Sequence, residues 1–254
     1  MAQKTHSAKR ERLSHSGNEK HSGASLAAGL VLGAVIAAYL FITNADPKPF
    51  EAYNFINTGL CLWVPLLVIV LVLKRDPSEF GMAVGDRRQG LKWALFLWLA
   101  MLPLIVFAGH LPAFREQYLN HRLTQPLAGV GSVFDGAHAH LPALIYYELS
   151  MGFYMFCWEF FFRGFLLFGL RESKLGTWGA VILQALPFML LHWSWRSDVS
   201  KPFIEVLGSL PAALILGILA IRTKSFVYGF VAHWGVSMAL DVYLLLPFIS
   251  VRFG

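Results

Sequence analysis

The chain has 254 residues, of which 56% are hydrophobic and only 14% charged, and its mean hydropathy is +0.56. That balance excludes a soluble globular domain and calls for membrane-spanning helices, because apolar runs of about 18 or more residues read as spans. The net charge of +6 does not imply a nucleic-acid partner: the basic residues cluster at span ends and in the N-terminal tail, as orientation in a membrane requires.

Residues 1–24 are polar and basic, with little to bury, and are expected to be a disordered cytoplasmic tail preceding one transmembrane domain over 25–254. No small-residue cleavage site follows, so the first span is expected to remain as an anchor. About seven spans follow, at 25–43, 54–73, 90–108, 141–170, 176–193, 203–221 and 225–246, giving an all-α, polytopic helix bundle. Lys4, Lys9, Arg10, Arg12, Lys20, Lys74, Arg75, Arg87, Arg88, Lys92, Arg171, Lys174, Arg222 and Lys224 fall on one side, which the positive-inside rule makes cytoplasmic. The N-terminus is then inside and the C-terminus outside, and the short loops suggest a bacterial inner membrane.

Spans one to three carry no buried charge. Gly29-x-x-x-Gly33 permits close helix approach but is common by chance, and Pro65 and Pro103 predict kinks. Cys61 and Cys157 lie inside spans and read as small buried hydrophobes. The segment 109–140 is the largest external loop, and its histidines (His110, His121, His138, His140) read as solvated, with no metal-site spacing.

The fourth span is long: about thirty residues rise about 45 Å against a hydrocarbon core of about 30 Å. It carries Glu159 and Arg163, one helical turn apart and able to pair. Glu148 lies about three turns earlier on the same face, about 16 Å away, where it is expected to be solvated. Short connections make spans four and five, and six and seven, antiparallel neighbours. Span five ends near His192, span six opens after Pro202 with Glu205 in its first turn, and span seven carries His233, Ser237 and Asp241 on one stripe. Estimated depths from the cytoplasmic ends are about 16 Å for Glu159, about 12 Å for His233 and about 24 Å for His192. A self-neutralising Glu159–Arg163 clasp is the bland explanation of the first pair. Two histidines, a Glu/Arg pair and an Asp on neighbouring spans exceed it, since each adds its own desolvation cost.

At these residues the chain resembles the CPBP family of intramembrane proteases, which includes type 2 prenyl-CAAX endopeptidases and bacterial Abi-type proteins. The family's Glu-Glu-x-x-x-Arg motif reads Trp158-Glu159-Phe-Phe-Phe-Arg163-Gly164 here; Phe-x-x-x-His reads Phe188-Met-Leu-Leu-His192; and His-x-x-x-Asn or a small residue reads His233-Trp-Gly-Val-Ser237. The resemblance covers about residues 140–245, with a weaker echo in Asp76-Pro-Ser-Glu-Phe-Gly81. It implies hydrolysis of a peptide bond in a membrane-associated protein or peptide, with Glu159 and His192 activating water and His233, aided by Ser237, stabilising the oxyanion. Arg163 and Asp241 are supporting residues.

Two positions depart from the pattern: Trp158 replaces the usual first glutamate, and Ser237 the asparagine. The base is therefore open among Glu159, Glu205 and none at all, and pairing with Arg163 makes Glu159 a poorer base. Glu159, His192 and His233 are also a possible zinc set, but no His-Glu-x-x-His is present and the resemblance implies metal-free chemistry, so no cofactor is expected. Two competing functions stand beside the protease: a non-catalytic relative that binds a peptide or protein partner, which Trp158 favours, and a proton-coupled transporter, which the lack of repeat between the chain's halves disfavours.

Overall fold

Apolar runs separated by charged, proline- and glycine-bearing turns leave the backbone no water to bond with inside a bilayer, so each run closes its own hydrogen bonds as a helix. The computed structural model describes residues 23, 28–44, 46, 48–193 and 203–249. The predicted tail, apart from Gly23, lies outside the described residues, as do the connection 194–202 and the last five residues. We number the helices α1 (Gly33–Thr43, entered through a π-helical turn Ala28–Leu32), α2 (Phe50–Val72), α3 (Arg87–His110), α4 (Pro112–Tyr118, continued by a π-helical turn Leu119–Leu123), α5 (Leu141–Arg171), α6 (Gly176–His192), α7 (Phe203–Thr223) and α8 (Val227–Leu245, extended by a 3₁₀ turn Leu246–Phe248). Among the described residues there is no strand beyond two isolated bridges in the 124–140 segment. The protein is an all-α membrane bundle.

Five helices, α2, α3, α5, α7 and α8, are long and apolar enough to cross a membrane, while α1 and α6 are shorter apolar helices standing where two further spans were expected. α6 stops at His192, and three residues of the first expected span lie outside the described ones.

α5 is the axis of the bundle. Of its most apolar stretch, 89% is buried, against 17–39% for the other four crossing helices. α2 and α8 pack on its first half and α1 and α6 on its second, while α3 lies along α8 and α7 along α6. Gln184, fully buried, donates from Nε2 to the carbonyl of Ala213 at 2.9 Å and so ties α6 to α7. The Gly29/Gly33 pattern has a use here: a Cβ on Gly33 would stand 2.3 Å from Leu166 Cδ2, so the glycine is what lets α1 reach α5. Cys61 and Cys157 are free and buried, as expected.

The segment 109–140 departs from the expected external loop. Pro112, with its fixed φ and no N–H to lose, starts helix α4, and Phe114, Tyr118, Leu119 and Leu123 bury against Ala143, Leu144, Tyr147 and Leu244. Its polar and histidine content hid this four-residue apolar face. The histidines behave as expected at the surface; His140 pairs with Asp135 at 3.0 Å, and both are exposed.

On the opposite side, the Asp76–Gly81 turn is a 3₁₀ turn with a complete capping box between Asp76 and Glu79. Arg75 holds Glu79 at 2.7 Å and Glu172, just past the end of α5, at 2.6 Å. The turn thereby lies on Gly164, where a Cβ would approach the Phe80 carbonyl oxygen to 2.8 Å. Gly164→Ala should therefore cost about 1–3 kcal/mol through overpacking against rigid backbone, measured as a lower unfolding midpoint in mixed micelles. The Arg75 guanidinium holds the Glu79 carboxyl below its usual range. A depressed carboxyl contributes its stability above the unfolded value of about 4.3 and loses it as pH falls through the lower folded value. Hydrogen exchange at the Gly81 amide should thus show unchanged protection from pH 7 down to about 4 and lose it only below; Arg75→Ala should remove that pH dependence.

Candidate active site

The three stretches that carry the motifs lie on α5, α6 and α8. α5 changes from α- to π-helical geometry immediately after Glu159, over Phe160–Leu166, and this wider turn contains Arg163. Such local widening occurs often at functional positions. Glu159 and Arg163 are both fully buried and paired, Arg163 Nε lying 3.3 Å from Glu159 Oε2. Across the helix interface, His233 Nδ1 donates to Glu159 Oε1 at 2.8 Å. A carboxylate can only accept, so Nδ1 carries the proton and the tautomer of His233 is set by Glu159. His233 is the partly exposed member, its side chain 28% accessible.

Phe188 organises what lies around this pair, a part that motif matching left unassigned. It is buried; the Arg163 guanidinium stands 4.0 Å from its ring centroid, and the rings of His192 and His233 lie at 4.6 and 6.1 Å. Among the described residues the Arg163 nitrogens have no hydrogen-bond partner, and the Glu159 carboxylate, the Phe188 ring face and, farther off at 5.8 Å, the Phe162 ring meet this buried cation. His192 donates from Nδ1 to the Phe188 carbonyl at 2.8 Å, which fixes its ring on the turn below. It reaches the Glu159 pair through Phe188 and Trp158 rather than by a direct hydrogen bond. Trp158 meets His192 edge-on, at 6.4 Å and 89°. An indole thus fills the place of the missing carboxylate and walls one side of His192 with carbon.

The later members of the α8 stripe join a second polar cluster nearer the 109–140 segment. Ser237 accepts from Arg122 Nη2 at 3.1 Å, and Arg122 Nε donates to the Tyr147 hydroxyl at 2.5 Å. Trp234 Nε1 donates to Glu148 Oε2 at 3.2 Å. Asp241, fully buried, faces Glu148. Glu148 is therefore not solvated: it is 7% exposed, because α4 and α8 close over the end of α5 that was expected to reach water. Glu148 and Glu159 do share a face, both turned to α8. Tyr147 and Arg122 escaped sequence analysis, the first as one of many aromatics in a span, the second as a loop cation. Glu205 falls in the first turn of α7, and its side chain lies outside the described residues. Among the described residues no three His, Cys, Asp or Glu side chains converge as metal ligands would.

With this geometry in view, comparison with known proteins has a specific meaning. Residues 138–239 match the family described as type II CAAX prenyl endopeptidase Rce1-like. Over this segment the chain is similar to that family, one of the CPBP type. The match runs from just before α5 to just after Ser237, so it takes in Glu159, Arg163, Phe188, His192, His233 and Ser237 and leaves out α1 to α4 and Asp241. No curated protein and no solved structure matches the chain. By that description, members of the family are prenyl endopeptidases.

The buried pair makes a sharp energetic prediction. Arg163→Met alone strands Glu159 in an apolar interior and should cost about 3–5 kcal/mol, whereas the double variant Glu159→Gln/Arg163→Met should cost less than the single one. Unfolding of both in mixed micelles measures the difference.

Proposed function

We propose that the protein is an intramembrane endopeptidase that hydrolyses a peptide bond in a membrane-associated protein or peptide. The single observation that carries the reading is the 2.8 Å bond from His233 Nδ1 to Glu159. It leaves Nε2 of a partly exposed imidazole as the acceptor, oriented by a carboxylate that is itself held by Arg163. In the proposed mechanism Nε2 takes a proton from water as the water oxygen attacks the scissile carbonyl. Glu159 stabilises the imidazolium that forms, and the same proton passes to the departing amine as the tetrahedral intermediate collapses. This assigns Glu159 the part of orienting carboxylate and makes His233 the group that moves the proton. The Ser237 hydroxyl, one helical turn from His233, supplies a donor to the oxyanion, and His192, its Nδ1 proton committed to the Phe188 carbonyl, offers Nε2 as an acceptor to hold the water. The steps use no metal. The distribution of Lys and Arg supports a cytoplasmic N-terminus and an external C-terminus, in a membrane of bacterial inner-membrane type.

Trp158 favours one other reading. An indole in place of a carboxylate, packed on Phe162, Phe188 and His192, is what a binding protein that has lost hydrolysis would carry. It would hold a peptide or protein partner at the same site. Proteolysis in liposomes against a library of membrane-anchored peptides separates the two. For the protease, Glu159→Gln, His233→Ala and His192→Ala should each lower kcat by about 10²–10⁴ with the fold intact. Cleavage that survives Glu159→Gln would move the carboxylate role to Glu205, and folded wild-type protein that cleaves nothing would favour the partner-binding reading.

A further inference from the structure

We propose that Arg122, carried by the segment between α3 and α5, is a positioning residue for hydrolysis that holds and polarises the Ser237 hydroxyl as an oxyanion donor. The inference rests on the protease reading above. Arg122 lies in the π-helical turn Leu119–Leu123, whose Leu119 and Leu123 are 6% and 0% exposed, so its backbone is anchored in the bundle. Its guanidinium is fixed from three directions: Nε on the Tyr147 hydroxyl at 2.5 Å, Nη2 on Ser237 Oγ at 3.1 Å, and the Tyr118 ring 4.9 Å from Cζ. Tyr147 and Tyr118 are themselves buried, at 2% and 4%.

The donor inventory decides what this bond does. A guanidinium has only donors, so Ser237 Oγ must accept, and the one proton of Ser237 is left to donate elsewhere. A hydroxyl that accepts from a cation is a stronger donor in its turn, because the two bonds polarise each other in a low-dielectric interior. Ser237 follows His233 by one turn on the same face of α8, so its proton is available beside the imidazole that activates water. No bond is made or broken at Ser237: charge growing on the carbonyl oxygen meets the hydroxyl hydrogen, with the guanidinium behind it. Serine is shorter than the asparagine that the motif usually shows and, alone, a weaker donor. A cation behind it offsets that weakness.

Arg122 also lies within electrostatic reach of Glu148, which faces Asp241, so it has a bland alternative role in neutralising that carboxyl pair and pinning α4 over α5. A double-mutant cycle separates the roles: Arg122→Gln, Ser237→Ala and both together, reconstituted in liposomes, with kcat, KM and unfolding midpoint measured for each. The expected result is a kcat loss of about 10²–10³ for Ser237→Ala, a tenfold or greater loss for Arg122→Gln, and a double variant no slower than Ser237→Ala, with KM little changed. Losses that multiply in the double variant would place the effect of Arg122 elsewhere and overturn the proposal, as would an Arg122→Gln protein with full kcat. If Arg122→Gln does not fold, Arg122→Lys replaces it: lysine keeps the charge near Glu148 but lacks the fork that holds Tyr147 and Ser237 at once, and an unchanged kcat would again overturn the proposal. Cleavage abolished by Glu159→Gln but untouched at Arg122 would sink this inference alone, whereas a folded wild type that cleaves nothing would sink the protease reading and this one with it.

Discussion

Everything in the molecule depends on keeping one carboxylate, Glu159, in the driest part of an apolar bundle. An ionised group there costs several kcal/mol unless charge and hydrogen bonds replace its water. Arg163 supplies the charge from the next turn of the same helix, and His233 supplies the hydrogen bond from α8. Neither partner suffices alone. Arg163 would itself be a stranded cation without Glu159 and the Phe188 ring, and His233 would have no fixed tautomer. The need to assemble all three explains why α5, α6 and α8 pack where they do, and why the outer helices can remain mostly uncovered, turning apolar side chains such as Phe55, Trp63 and Phe107 outward toward lipid.

Phe188 joins these parts. Its ring face meets the guanidinium and the rings of both histidines lie within 6.1 Å of its centroid, so a single aromatic residue links the ion pair to His192 at the end of α6. Hydrophobic packing and electrostatics are not separable here: the same ring that fills the core supplies the quadrupole that helps hold a buried cation. The turn at Asp76–Gly81 has a comparable part at the other end, holding the π-helical stretch of α5 in place through Gly164 and the Arg75 pairs.

The two departures from the family pattern have different consequences. Trp158 removes a proton acceptor and puts carbon against His192, while the direct carboxylate–imidazole bond of the motif residues is the one between Glu159 and His233. Ser237 shortens a donor, but the segment between α3 and α5 brings a guanidinium to it. The family match ends near Ser237, while Arg122 lies before its start. The groups that meet at Ser237 therefore come from both inside and outside the matched segment, and the site extends beyond the motifs by which the family is identified.

Composition and apolar run length were enough to determine an all-helical membrane bundle, because continuous apolar runs of about 18 or more residues satisfy their backbone in lipid as helices, whereas a barrel needs short segments of alternating hydrophobicity. Residue spacing also determined the Glu159–Arg163 pair and the His233–Ser237–Asp241 stripe, since helical periodicity is local. Which stripe meets which could not be read that way. That His233 rather than His192 bonds Glu159, that Glu148 is buried against Trp234 and Asp241, and that residues 112–123 form a helix delivering Arg122 to Ser237 were decided only by tertiary structure. The physical reason is that burial and pairing across helices depend on rotation and depth, which the sequence of each helix leaves free until its neighbours are in place.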